Sequence, residues 1–301
     1  MTPRAAHAVA LGGGHGLART LGALVDVADV VTAVVTVADD GGSSGRLRRD
    51  LGVQPPGDLR MALTALCPDR DARELLGYRF RAGELDGHSL GNLLLVALSD
   101  LEGGLLAALD RLAALAGARG RVLPSTTVDV TLHAQAPDGS RVDGQVAVAT
   151  TPGIDRLRLD PQRPQATPDV LVAIADADLV VLGPGSVCTS VLPNLLVPAV
   201  AAAVRATDAP VVLVGNLDEQ LGEGEGRGLA DHVGLLARHA DVVPDVVLAH
   251  RGQDPATGRT PLHADAALQA LVARVVETDL LAPGGGHDEG ALATALRDLL
   301  A

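Results

Sequence analysis

Two short apolar runs in this chain each break into a glycine turn, and this pattern restricts the fold more than any other feature. The first is Ala8-Val9-Ala10-Leu11, followed by Gly12-Gly13-Gly14-His15-Gly16 and then Leu17–Val25 at helical spacing. The second is Leu179-Val180-Val181-Leu182, followed by Gly183-Pro184-Gly185-Ser186 and an apolar stretch carrying hydroxyls, read as a helix over Val187–Val197. A strand that is apolar at successive positions must be covered on both faces. Val30–Val37, Val211–Val214 and Asp245–Ala249 read the same way. Parallel strands need helical crossovers, so the expected fold is α/β: a Rossmann-like three-layer sandwich with a mostly parallel sheet. Thr127–Ala134 and Arg141–Thr150 instead alternate apolar and polar residues around Pro137-Asp138-Gly139. That predicts a β-hairpin excursion at about 126–150. No solenoid-period repeat or compositional break divides the chain, so residues 1–301 read as a single domain.

The core of such a sheet must be Leu, Val and Ala, because the chain holds one Tyr, one Phe and no Trp. Aromatic platforms for stacked bases are therefore missing. A net charge of −13 opposes binding to nucleic acid or to an anionic membrane through bulk electrostatics. All 24 basic residues are Arg. The lack of Lys excludes a Walker-type G-K-[ST] loop, a Schiff-base lysine and a lysine general base. An anionic ligand must then be held by Arg, backbone amides, hydroxyls or a metal. Cys67 and Cys188 form no metal-type spacing. Met1–Leu11 has too short an apolar run for a signal peptide, and Leu195–Val204, broken by Pro198, is too short to cross a bilayer. The expected setting is the cytoplasm.

Chemistry concentrates at the ends of the apolar strands, where open α/β sheets bind ligands. Gly12, Gly13, Gly14 and Gly16 permit a tight turn at the start of a helix, whose free N–H groups and dipole favour an anion. The plain alternative is an ordinary β–α turn, since Leu17 stands where the full dinucleotide fingerprint has its last glycine. Asp39 and Asp40, with Ser43 and Ser44 in Ala38–Arg46, have a ligand-type composition, and Asp39 lies 25 residues after Gly14. Asp40 could hold a divalent metal or cap a turn. Asp58 reads as the N-cap of a helix over Leu59–Leu66, with binding as the other option. Gly87–Asn92 opens a helix over Leu90–Leu98 that Ser89 can cap; His88 there reads as structural. Ser186, Thr189 and Ser190 supply hydroxyls where Lys is missing. Ser186 lacks the G-x-S-x-G frame of a nucleophile elbow. Asn216, at a strand end, is a candidate reader of a base or sugar. Leu221–Gly228 reads as a mobile loop, and Asp231-His232 as a solvated helix face. No catalytic residue and no metal-ligand set can be assigned.

Gly12–Gly16, Thr36–Arg48, Pro55–Arg60, Gly87–Asn92 and Gly183–Val197, in this order and spacing, resemble the bacterial gluconeogenesis factor family (YvcK/GlmR-like, UPF0052). That family is related to the 2-phospho-L-lactate transferases. The resemblance runs from about Ala8 to His250. It implies a cytoplasmic regulatory protein that binds a UDP-sugar or a dinucleotide and affects carbon metabolism, peptidoglycan precursor supply and cell shape. No cofactor is required on that reading. The implied partners are a nucleotide-type small molecule, an enzyme of amino-sugar metabolism and a further copy of the chain. The alternative is a transferase of phosphorus-containing groups using Mg²⁺, with a nicotinamide oxidoreductase a distant third. Carried over by position, Gly12, Gly13, Gly14 and Gly16 would line a diphosphate, with Asp39, Asp40, Ser43 and Ser44 over the same cleft. Gly183, Gly185, Ser186, Thr189 and Ser190 would form its far wall, and Asn216 would reach in from the next strand. His15, Asp58, Asn92 and Pro184 complete the candidate set. His15 replaces the usual Thr, Val187-Cys188 the usual Leu-Tyr, and Gly286 the usual Arg before the late His-Asp.

Overall fold

The computed structural model describes residues 4–252 and 258–300. In chain order the strands are β1 (Ala5–Gly12), β2 (Ala28–Val35), β3 (Arg121–Pro124), β4 (Thr131–Gln135), β5 (Arg141–Asp143), β6 (Arg156–Asp160), β7 (Leu179–Leu182), β8 (Val211–Val214), β9 (Val246–His250) and β10 (Arg274–Thr278). Seven of them form one sheet in the order β10-β9-β8-β7-β1-β2-β3. Every neighbouring pair in it is parallel. Successive apolar residues explain its position: Ala8–Gly12 of β1 and all of β7 and β8 are buried. Each fully buried Leu or Val there contributes about 2 kcal/mol relative to an exposed one. Helices flank this sheet, so the expected α/β sandwich is what forms.

Strand order decides where a ligand can enter. The chain starts at β1, builds outward through β2 and β3, then returns to the other side of β1 and builds outward again through β7, β8, β9 and β10. The order therefore reverses between β1 and β7. At such a switch point the connections leave in opposite directions, and a crevice opens beyond the carboxyl ends of the two strands. Both glycine turns lie there, directly after β1 and β7.

The excursion differs from the expected hairpin. It is a three-stranded antiparallel sheet in the order β5-β4-β6. Only Arg141–Asp143 of the second run is strand. Gly144 then takes φ +94, and Gln145–Thr150 winds into a helix. The third strand, β6, alternates buried Leu157 and Leu159 with more open Arg and Asp. Val187–Val197 is likewise not one helix. It divides into a π-type turn over Val187–Val191 and a short helix Leu192–Leu195, before a separate helix Pro198–Ala206. Pro193 and Pro198, at the second and first positions of their helices and lacking an N–H, account for the breaks. The helices expected after the first turn, after Asp58 and after Ser89 are Gly14–Leu24, Gly57–Leu66 and Leu90–Leu101. Ser89 caps the last of these, accepting the Asn92 N–H at 3.3 Å.

Candidate functional site

The two glycine turns touch. A Cβ on Gly16 would stand 2.0 Å from the Pro184 carbonyl oxygen, a backbone atom with no freedom to move aside. Only Gly allows this approach, which closes the floor of the crevice. The Gly183 N–H donates to the Leu11 carbonyl at 2.9 Å, continuing the ladder between β1 and β7 into the turns. Asn194, wholly buried, donates through Nδ2 to the Gly12 carbonyl at 3.1 Å and to the Ser190 carbonyl at 2.8 Å. Asn216 locks the second turn from the other side: its Oδ1 accepts the Gly185 N–H at 2.7 Å and its Nδ2 donates to the Gly185 carbonyl at 3.0 Å. Gly185 holds φ +126, so this clasp keeps an orientation that a side chain would resist.

Asp58 is not the N-cap of its helix. That position belongs to Pro56, and Asp58 sits in the first turn, its carboxylate directed at the first glycine turn. A Cβ on Gly13 would lie 2.5 Å from Asp58 Oδ2, and the Gly14 N–H donates to this carboxylate. Burial, and then the Asp39 charge, push the Asp58 carboxyl from 3.8 up to about 7, although the Gly14 amide and Arg60 pull the other way. Asp39 accepts the Gly41 N–H at 2.9 Å and a hydrogen bond from Ser44. Burial and then the neighbouring Asp40 raise its carboxyl, against those hydrogen bonds and Arg48. Ser44 Oγ in turn accepts the Gly57 N–H at 3.0 Å. Asp39, Ser44 and Asp58 are thereby tied into one cluster at the ends of β1 and β2.

Asp40 points away from that cluster. Its Oδ1 accepts the Val146 N–H at 3.0 Å and so caps the helix Gln145–Thr150, fastening the antiparallel excursion to the rim. Ser43 is the centre of a buried chain: its hydroxyl lies 3.0 Å from His88 Nδ1 and accepts from Asn92 Nδ2 at 3.0 Å. Asn92 Oδ1 then accepts Arg60 Nε at 3.4 Å. Among the described residues no group of three or more His, Cys, Asp or Glu has the arrangement to hold a metal ion.

The hydroxyls that follow the second glycine turn cluster around a carboxylate that sequence reasoning passed over. Ser186 Oγ accepts the Thr189 N–H at 2.8 Å and the Thr189 hydroxyl at 2.6 Å, and donates its own proton to Glu223. Glu223 is only 4% exposed, and burial raises its carboxyl. The Leu221–Gly228 segment is thus built into the wall at this residue. His232 is also buried, against the expectation of a solvated face; desolvation, then Arg227, pulls its imidazole down to about 4. Asp231 is engaged with the Gly228 N–H at 2.9 Å. His15 is exposed on the first turn of its helix, and Ser190, half-buried, faces Gly185. Arg60 and Glu223 were the missed residues. Only Arg60 had a signal, two positions after Asp58 within the Pro55–Arg60 block.

An open parallel sheet with two glycine turns joined across its switch point defines a doubly wound α/β cleft protein. The chain belongs to the CofD family, whose model, described as "2-phospho-L-lactate transferase CofD", matches residues 8–281. Within it the similarity is to proteins named gluconeogenesis factors. A Mycobacterium tuberculosis protein named "Putative gluconeogenesis factor" is 47% identical, over 96% of this chain and 88% of its own length. A Deinococcus radiodurans protein of the same name is 43% identical, over 98% of this chain and 66% of its own length. The crystal structure of a UPF0052 family member from Bacillus halodurans superposes with a TM-score of 0.92 at 35% identity, covering 98% of this chain and 99% of that one.

Proposed function

We propose that this chain is a cytoplasmic gluconeogenesis factor that binds a UDP-sugar or a dinucleotide at the switch point and acts through a partner enzyme of amino-sugar metabolism. The observation that carries the reading is the Gly16–Pro184 contact. It sets two glycine turns side by side, the second followed by hydroxyls, in a chain without Lys. Ser190, half-buried beside Gly185, offers a further hydroxyl on the far wall. Ser186 donates to the buried Glu223 carboxylate, the pairing a hydroxyl nucleophile would use, but it stands outside a G-x-S-x-G elbow, and binding is the reading preferred over turnover. The names of the relatives support the coarser part of the reading.

The family match lends weight to a second reading, a transferase of phosphorus-containing groups. Asp39 and Asp58 are its candidate residues: two carboxylates, both held above their ordinary range, next to a phosphate-type turn. Mg²⁺ is commonly held by one or two carboxylates together with substrate phosphates, and this pair fits that role. The ion would neutralise charge on a transferred group, while Asp39 and Asp58 would orient it.

Calorimetric titration of the full chain with UDP-N-acetylglucosamine, NAD and GDP, with and without Mg²⁺, tests the first reading. Saturable heat with at least one of them, without product, is expected; none with any nucleotide sinks it. Turnover of a nucleotide-activated substrate that disappears in Asp39→Asn would establish the transferase instead.

A further inference from the structure

Beside the crevice lies a second cavity of about 410 Å³, lined by His15 and Arg19, by Arg60, by Arg73 and Arg79, and by Glu289. Its walls are the helices Gly14–Leu24, Gly57–Leu66 and Arg70–Gly77. The chain has net charge −13, yet this one hollow gathers a sixth of its 24 arginines against a single carboxylate. That carboxylate is already used: Glu289 pairs with Arg19 at 3.0 Å. Among the described residues, Arg60, Arg73 and Arg79 form no ion pair.

Arg60 is the unusual member. It is only 7% exposed, and its one hydrogen bond is the long contact from Nε to Asn92. Arg79 spends one nitrogen on the Gly87 carbonyl at 2.9 Å. The two guanidinium groups feel each other: burial first and then the Arg79 charge pull Arg60 down to about 10. Asp58 offsets part of this from a distance, but no carboxylate pairs with Arg60 directly, and a buried guanidinium set beside another cation is an unfavourable arrangement in isolation. It becomes favourable once a dianion enters, because planar guanidinium forks match phosphate oxygens in pairs. The volume exceeds what a phosphate alone fills, so the group would arrive on a small molecule.

We propose that this cavity is an anion site for the phosphate group of a small phosphate monoester, bound as a second ligand alongside the crevice and held by Arg60, Arg73 and Arg79. The site is separate from the nucleotide reading of the crevice and stands without it. The probe is inorganic phosphate, titrated into the full chain at low ionic strength by calorimetry, with Arg73→Gln/Arg79→Gln as the variant. Both residues are exposed, so the folded state should survive, and a thermal melt confirms this. Saturable phosphate binding is expected in the native chain. It should weaken about tenfold to a hundredfold in the variant, the range for lost charge-assisted hydrogen bonds, and persist in the presence of saturating UDP. Absence of phosphate binding overturns the proposal, as does equal affinity in the two proteins. Displacement of phosphate by UDP would place the anion in the crevice and overturn it too. A failure of UDP-N-acetylglucosamine to bind would count only against the crevice.

Discussion

Asp58→Asn tests the electrostatics of the rim. Burial and the Asp39 charge raise the Asp58 carboxyl from 3.8 to about 7. A rise of roughly three pH units is worth roughly 4 kcal/mol, at about 1.4 kcal/mol per unit. The sign follows from proton linkage. Between its ordinary value and pH 7 the folded chain keeps this proton while the unfolded chain has lost it. The folded state therefore binds more protons, and the contribution of Asp58 to stability falls as pH rises through that window and is constant above it. Asn has the same shape, cannot ionise, and still offers Oδ1 to the Gly14 N–H. The variant should match the native chain near about pH 4 and exceed it above about pH 8 by up to about 4 kcal/mol. Urea unfolding across this range gives the answer as a difference between the two proteins. The difference matters because His232 and His287, both pulled by burial down to about 4, impose slopes of the opposite sign that cancel in it. A difference that stays flat with pH would refute the reasoning. On the nucleotide reading, ligand affinity in the native chain should also weaken as pH rises through 7, and this dependence should vanish in the variant.

Gly16→Ala would drive a methyl group into the Pro184 carbonyl, 2.0 Å away, with backbone on both sides of the clash. It should cost about 1–3 kcal/mol by urea unfolding, and nucleotide heat should fall with it; unchanged stability would mean that the turns do not meet. Asp40→Ala removes the acceptor for the Val146 N–H and should cost about 1 kcal/mol, the value of a helix cap. Faster amide exchange should then be confined to Gln145–Thr150, and exchange changes in the glycine turns instead would show that Asp40 belongs to the crevice.

The parts of this protein legible in its sequence are those that depend on neighbours along the chain. Ala8–Leu11 and Leu179–Leu182 announce doubly covered strands, and the glycines after each announce the turns, because period and turn chemistry are local. That the turns meet is not local. It requires β1 and β7, some 170 residues apart, to pair in register from Ala8↔Leu179 to Leu11↔Leu182. The misread hairpin shows the same limit on a smaller scale. Val142 through Thr150 alternates well enough for a strand, but Gly144 departs from strand geometry and Asp40, 106 residues away, caps the helix that follows. Arg60 and Glu223 were missed for a related reason. Each carries its meaning only once Asn92 or Ser186 has been brought beside it by the fold.

The two walls share one device. On the near wall the Gly14 amide, which an anion would use, is engaged by the Asp58 carboxylate. On the far wall the Ser186 hydroxyl is spent on Glu223. Both carboxyls are raised by burial. An anion seated between the turns therefore competes with carboxylates of its own charge. Its entry is favourable where those groups hold protons, or where a cation moves in with it. On the nucleotide reading, a crevice built this way would discriminate against stray phosphate and reward a ligand large enough to bring compensating contacts from its sugar and base. The Arg60 cavity next door has the reverse bias, with cations in excess, so if both proposals hold the two sites would suit ligands of different charge density better than two copies of one.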